Sequence, residues 1–235
     1  MRLDKYLSDM GVATRSELKK IIKKGRVRVC DTIITDPSFF VDASSAVSLD
    51  GEPIEYADYE YYILNKPAGV LSASEDKKAA TVLDLFPDRK RKDLFPVGRL
   101  DRDTVGLLLI TNDGALSHRL LSPKSHVDKT YFAKINGIVT DDDVASFSKG
   151  LYVDSELTAL PADLEILNVS GDKSEIKITI REGKYHQIKR MFAAIGCEVT
   201  YLKRLSMGGL SLDEELKEGE YRKLTASEIS SLKQS

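Results

Sequence analysis

No apolar run in these 235 residues approaches the ~20 that a membrane-spanning helix needs. Tryptophan is absent, and cysteine occurs only at Cys30 and Cys197. Two isolated cysteines exclude a disulfide scaffold or a zinc ribbon and are expected to be reduced core thiols. His118, His126 and His186 are scattered without ligand spacing, so no metal site is expected. The opening Met1-Arg2-Leu3-Asp4-Lys5 lacks the apolar stretch of a secretory leader, and the chain is expected in the cytoplasm, away from membranes. Hydrophobic residues make up 42%, which excludes disorder as the default and supports one large domain, or a large one with a small one.

Net charge is also nearly lacking, at −2, but that figure conceals an asymmetry. Residues 1–30 carry nine lysines and arginines against three carboxylates, whereas residues 31–60 carry eight carboxylates and no base. Within the basic segment Leu3 and Leu7 share one side of a short helix that ends near Gly11. Thr14-Arg15-Ser16-Glu17 is a capping box that starts a second helix at Arg15. Leu18, Ile21 and Ile22 give that helix an apolar stripe, while Arg15, Lys19 and Lys23 recur at i, i+4 and i+8 on another face. Gly25 closes it, and Arg26-Val27-Arg28-Val29 alternates as a strand with both arginines on one side. Asp50-Gly51 marks a hairpin turn. A shared cationic face suits a phosphate backbone.

Past the acidic stretch from Asp50 to Glu60, which holds the expected linker, Tyr61–Gly69 reads as a strand stopped by a Pro-containing turn. Leu107–Ile110 is an apolar strand, and Asn112-Asp113-Gly114 turns it into a helix carrying Leu116, Leu120 and Leu121. Tyr131–Ile135 and Ile176–Ile180 alternate as half-buried strands, His186–Ala194 fits a helix, and Val199–Leu202 is another strand. Helices and strands mix without βαβ periodicity, so an α+β domain on a mostly antiparallel, mixed sheet flanked by helices is expected.

One run stands out: Gly98-Arg99-Leu100-Asp101-Arg102-Asp103-Thr104-Val105-Gly106-Leu107-Leu108-Leu109-Ile110-Thr111-Asn112-Asp113-Gly114. It sets Asp101 between two arginines in a loop before an apolar strand, where an ionised carboxylate can act as nucleophile or base. Asp103 and Thr104 are expected to shape that loop. Asp113 and Gly114 are expected to turn it into a helix.

Taken with Lys66-Pro67-x-Gly69, Lys129-Thr130-Tyr131 and Glu182-Gly183-Lys184-Tyr185-His186-Gln187-Ile188-Lys189-Arg190-Met191, this run resembles the RsuA-type pseudouridine synthases. The first segment resembles the S4-type RNA-binding domain through Arg2-Leu3-Asp4 with Leu7, Thr14-Arg15-Ser16 and Gly25-x-Val27-x-Val29. Cys30 stands where that pattern often has Asn. The resemblance implies an S4-like domain at 1–58 and a catalytic domain at 59–235. It assigns catalysis to Asp101, base stacking to Tyr131 and the cation beside Asp101 to Lys189, with Arg190 as the adjacent candidate. RNA contacts are expected from Arg2, Arg15, Lys19, Lys23, Arg26, Arg28, Arg99, Arg102 and Arg190. Isomerising uridine breaks the C1′–N1 bond and joins C1′ to C5 without redox change, so no cofactor is expected. Asp101 could attack C1′, attack C6 or take the 2′ proton to give a glycal; the resemblance favours the last. Met1-Arg2-Leu3-Asp4-Lys5-Tyr6-Leu7 with Thr14–Glu17, and the lack of a long basic tail after Leu224, look more like the small-subunit (16S) enzymes. A U516-type site in 16S rRNA or an assembling small ribosomal subunit, met by a monomer, is the substrate this implies; a 23S target is the alternative.

Two readings of other classes compete. Asp101-x-Asp103-x-Val105 also fits a magnesium-dependent Asp-x-Asp phosphatase. That motif should follow a strong apolar strand, however, and Phe95–Leu100 is a poor one, while Asp141-Asp142-Asp143 reads as a helix start capped by Thr140. The other is a catalytically silent ribosome-assembly protein, against which the intact Asp101, Tyr131 and Lys189 argue.

Overall fold

The computed structural model describes residues 1–56, 59–87, 89 and 91–234. The chain divides into two compact units, Met1–Glu60 with Phe86–Leu94, and Tyr61–Leu85 with Phe95–Ser235.

In the first unit, α1 (Leu3–Asp9) and α2 (Arg15–Lys23) precede four short antiparallel strands, β1 (Val27–Val29), β2 (Thr32–Ile34), β3 (Val47–Leu49) and β4 (Glu52–Ile54), in the order β2-β1-β3-β4. The capping box is present: the Thr14 side chain accepts from the Glu17 N–H, and the Glu17 carboxylate accepts from the Thr14 N–H. Leu3, Leu7, Leu18, Ile22, Val27 and Val47 form the core. Segment Phe86–Leu94, which a single boundary near residue 58 assigns to the catalytic domain, is held in this unit by a buried side chain. Arg91 donates to Asp93, lies 3.9 Å from Asp9 and covers the Tyr56 ring. One expectation is corrected here. Cys30 is exposed, not a core thiol, because it and Asp31 form the β1–β2 turn with φ of +45° and +64°, a position that suits Asn or Gly.

The second unit is built on one sheet. Its strands are β5 (Tyr61–Lys66), β6 (Phe95–Pro96), β7 (Val105–Thr111), β8 (Lys129–Asn136), β11 (Asp163–Ser170), β12 (Lys173–Ile180), β13 (Glu198–Met207), β14 (Leu210–Ser211) and β15 (Tyr221–Lys223). A separate hairpin pairs β9 (Leu151–Asp154) with β10 (Leu157–Ala159). The main path runs β11-β12-β8-β13-β7-β5-β15, with β6 and β14 at its margins. Only β13 and β7 pair parallel among the described strands, so the α+β reading with a mostly antiparallel sheet is the observed fold. Helices α3 (Gly114–Leu121), α4 (Asp141–Lys149), α5 (Gln187–Ala194) and α6 (Ala226–Gln234) complete the unit.

The parallel pair separates two cores. On one side Ala133, Ile135, Ile176 and Ile178 pack against Phe147 of α4 and Phe192 of α5. On the other Ile63, Leu107 and Leu109 pack against Leu116 and Leu120 of α3 and Leu232 of α6. Leu121, expected on the apolar face of α3, is 41% exposed. Asp113 caps α3 by accepting from the Leu116 N–H and also accepts from the Tyr61 hydroxyl. At the seam Gly106 has φ +99°, and a Cβ there would lie 2.3 Å from the Arg204 carbonyl oxygen. Only glycine lets β7 approach β13 this closely.

Candidate active site

The loop that enters β7 at this seam carries Asp101, and its main chain is held from several sides. Lys66, the last residue of β5, is fully buried. Its Nζ donates to the carbonyl oxygens of Pro67 (3.0 Å), Asp101 (3.2 Å), Arg102 (3.4 Å) and Thr104 (2.9 Å). Burial lowers its pKa to about 8. Ser72 Oγ donates to the Leu100 carbonyl and accepts from the Leu100 N–H. The Gly69 N–H donates to the Arg102 carbonyl, and Arg102 Nε donates back to the Gly69 carbonyl.

The open cleft beside this loop is lined by Arg99, Asp101, Tyr131, Lys184, His186 and Lys189, among others. Tyr131 stands on β8 between Ile178 of β12 and Arg204 of β13 and is only 7% exposed. The Asp101 side chain is 27% exposed, with Lys189 Nζ 3.6 Å from Oδ2 and His186 Nε2 3.6 Å from Oδ1. Both partners come from the start of α5. His186 takes the N-cap position with φ +48°. Gln187 fixes that entry: its Oε1 accepts from the Lys184 N–H and its Nε2 donates to Glu182.

Lys189 does not serve Asp101 alone. Its Nζ donates to Asp103 at 2.7 and 2.8 Å, and this hydrogen bond holds the Asp103 carboxyl below the usual carboxylate range. Asp103 therefore aims the ammonium as well as shaping the loop. Arg190, the neighbouring candidate, turns away and donates to Asp154 at 2.6 and 2.7 Å, as consecutive helical residues diverge by about 100°.

The other sequence-selected cations divide into two groups. Arg2 is paired with Asp4, Arg26 with Asp50 and Arg190 with Asp154. Arg15, Lys19 and Lys23 are exposed along α2 without an ion pair among the described residues. Arg28 is exposed and donates to the Asp31 carbonyl. Arg99 and Arg102 are exposed beside Asp101. Lys66 and His186, which touch the Asp101 loop and carboxylate, were not singled out by sequence, although they lie inside Lys66-Pro67-x-Gly69 and Glu182–Met191. The available signal for Lys66 was a charge ending a largely apolar, wholly buried strand.

Comparison with known proteins matches the RNA pseudouridylate synthase family over residues 60–194 and the S4 domain over residues 1–47. The chain belongs to the RNA pseudouridylate synthase family. It is 46% identical over 231 residues to the uncharacterized RNA pseudouridine synthase YtzG of Bacillus subtilis, covering 97% of each chain. It is 42% identical to ribosomal small subunit pseudouridine synthase A of Vibrio cholerae, covering 99% of each. The corresponding protein of Escherichia coli K12 is 39% identical, over 99% of this chain and all of that one. A crystal structure of a pseudouridylate synthase superposes with TM-score 0.69 at 38% identity, covering 99% of each chain. The chain is thus an RNA-acting isomerase of the RsuA type with an N-terminal S4 domain, and no helix among its described residues is long and apolar enough to cross a membrane.

Proposed function

We propose that the chain isomerises one uridine of small-subunit (16S) ribosomal RNA, at a site of the U516 type, with Asp101 as the reacting carboxylate. The observation that carries this reading is the Asp101 carboxylate at the cleft, 3.6 Å from Lys189 on one oxygen and 3.6 Å from His186 on the other. The names and identities of the small-subunit relatives support the choice of RNA.

The target uridine is extruded from the RNA, at a cost of a few kcal/mol, and its base stacks on Tyr131, which returns ~1–3 kcal/mol. Asp101 takes the ribose 2′ proton as the C1′–N1 bond breaks. The freed uracil turns, C5 bonds to C1′ while Asp101 returns the proton to C2′, and C5 then loses its own proton as N1 gains one, so the product is an isomer of the substrate. The Lys189 ammonium stands 3.6 Å from the carboxylate that takes this proton. Arg99 and Arg102 hold phosphates on either side of the extruded nucleotide. The S4 domain, 1–58 in this reading, docks the RNA through Arg15, Lys19, Lys23 and Arg28. The enzyme acts as a monomer in the cytoplasm.

Pseudouridine mapping in rRNA from a strain lacking the gene tests the assignment. One small-subunit pseudouridine is expected to disappear, to return with the wild-type gene and to stay absent with Asp101→Asn. Loss of a large-subunit site with the small subunit unchanged overturns the choice of RNA. Full restoration by Asp101→Asn overturns the role of Asp101.

A further inference from the structure

Tyr185 is 72% exposed. Its ring stacks on His186, with centroids 3.9 Å apart and planes 17° apart. His186 is the residue whose Nε2 lies 3.6 Å from Asp101. One face of the Tyr185 ring is therefore covered by His186, and the other faces solvent. The two rings are spaced nearly as the bases of a nucleic-acid strand are, ~3.4 Å apart.

The stack is also fixed in place. Main-chain and side-chain hydrogen bonds between Lys184 and Gln187 close the turn that carries it, and Arg190, itself locked to Asp154, donates to the Tyr185 carbonyl. The main chain that carries the ring is thus held before any ligand arrives, which reduces the entropy lost on binding. Its surroundings carry the charge that nucleic acid requires. Lys184 and Arg99 are exposed, line the same cleft and have no ion pair among the described residues.

We propose that the Tyr185–His186 stack is a second base platform that receives a nucleotide flanking the target uridine. This rests on the proposed function of the cleft and extends it to the neighbouring base. Tyr131, almost wholly buried on the cleft wall, takes the extruded uracil. Tyr185, on the rim, takes an adjacent base in unpaired RNA and sets the distance at which the strand runs past Asp101. Stacking of this kind tolerates any base, so the platform selects an unstacked neighbour more than a particular sequence.

The test uses a small-subunit rRNA oligonucleotide spanning the uridine, with and without an abasic nucleotide on either side of it. With the wild-type chain, one abasic flank is expected to raise KM roughly 10-fold, within the range of one aromatic–base stack. Tyr185→Ala is expected to raise KM on the intact RNA by a similar factor and to remove the penalty at that flank, because ring and base act on one contact. Tyr185→Phe is expected to restore both. Binding of the same oligonucleotides, followed by fluorescence anisotropy, reads the platform independently of turnover. If Tyr185→Ala keeps the wild-type flank penalty, or if Tyr185→Phe fails to restore it, the platform is overturned. If wild type makes no pseudouridine while anisotropy still shows the Tyr185-dependent penalty, the choice of RNA reaction fails and the platform stands.

Discussion

Lys66 Nζ donates to the main-chain carbonyl of Asp101 at 3.2 Å, so the carboxylate proposed to react hangs from a loop tied to a buried ammonium at the end of β5. Lys66→Met is expected to leave the carbonyls of Asp101, Arg102 and Thr104 without this donor. A loop displaced by ~1 Å costs about 100-fold in rate, to be read as kcat with a smaller change in KM.

The same lysine predicts behaviour in alkali. With its pKa lowered to about 8 and that of the unfolded chain near 10.5, the unfolded state binds more protons between these values. This group therefore adds stability as pH rises through that window, even as the loop loses a donor. Activity is expected to fall above pH ~8 with no matching fall in melting temperature from this group. A parallel collapse of both would show that Lys66 is not responsible.

Lys189 and Arg190 make a matched pair for mutagenesis. Lys189→Met removes the cation 3.6 Å from Asp101 and is expected to lower kcat by ~100-fold, the lower end of what a positioned acid–base group contributes. Arg190→Ala removes a partner of Asp154 and is expected to lower kcat by less than ~10-fold. Equal losses would place both side chains in the reaction.

Salt titration of RNA binding should separate the two groups of cations. Lys19→Ala and Lys23→Ala are each expected to reduce the slope of log K against log salt by ~1. Arg26→Ala is expected to change it less, because Arg26 is already paired with Asp50. The reverse order would move the docking surface from α2 to the strand side.

Cys30→Asn is expected to stabilise the chain by about 0.5–1 kcal/mol, since Asn tolerates the left-handed conformation that Cys30 adopts at φ +45°. Chemical denaturation followed by the first unit checks this.

Acid should weaken the C-terminal helix. Hydrogen bonds from Arg222 hold the Glu228 carboxyl at about 2, below its ordinary 4.5. Its contribution is present above pH 4.5 and is lost as pH falls toward 2. Glu228→Gln is expected to cost about 1–3 kcal/mol near neutral pH and to flatten that acid dependence in a melting series.

Much of this was legible because it is local. The Thr14–Glu17 and Thr140–Asp143 capping boxes, the Asp50-Gly51 turn and the alternation of Tyr131–Ile135 against Ile176–Ile180 are each written within a few residues. What the sequence concealed depends on distant partners. The docking of Phe86–Leu94 through Arg91 requires Asp9 and Tyr56, far back along the chain. The sharing of Lys189 between Asp101 and Asp103 requires knowing which faces of the loop and α5 meet. Cys30 looked like a core thiol by composition, and only its backbone angle shows a turn residue.

Gly106 gives the enzyme a rigid ruler. Because the main chain of β7 rests directly against that of β13 at this point, the offset between them is set by backbone atoms that no rotamer change can relax. Asp101 leads into the first of these strands, and Tyr131 sits on the neighbour of the second. The spacing from the Asp101 carboxylate to the Tyr131 ring is thus built into the sheet, and a methyl group at position 106 should blunt the proposed reaction while Asp101, Tyr131 and Lys189 all remain.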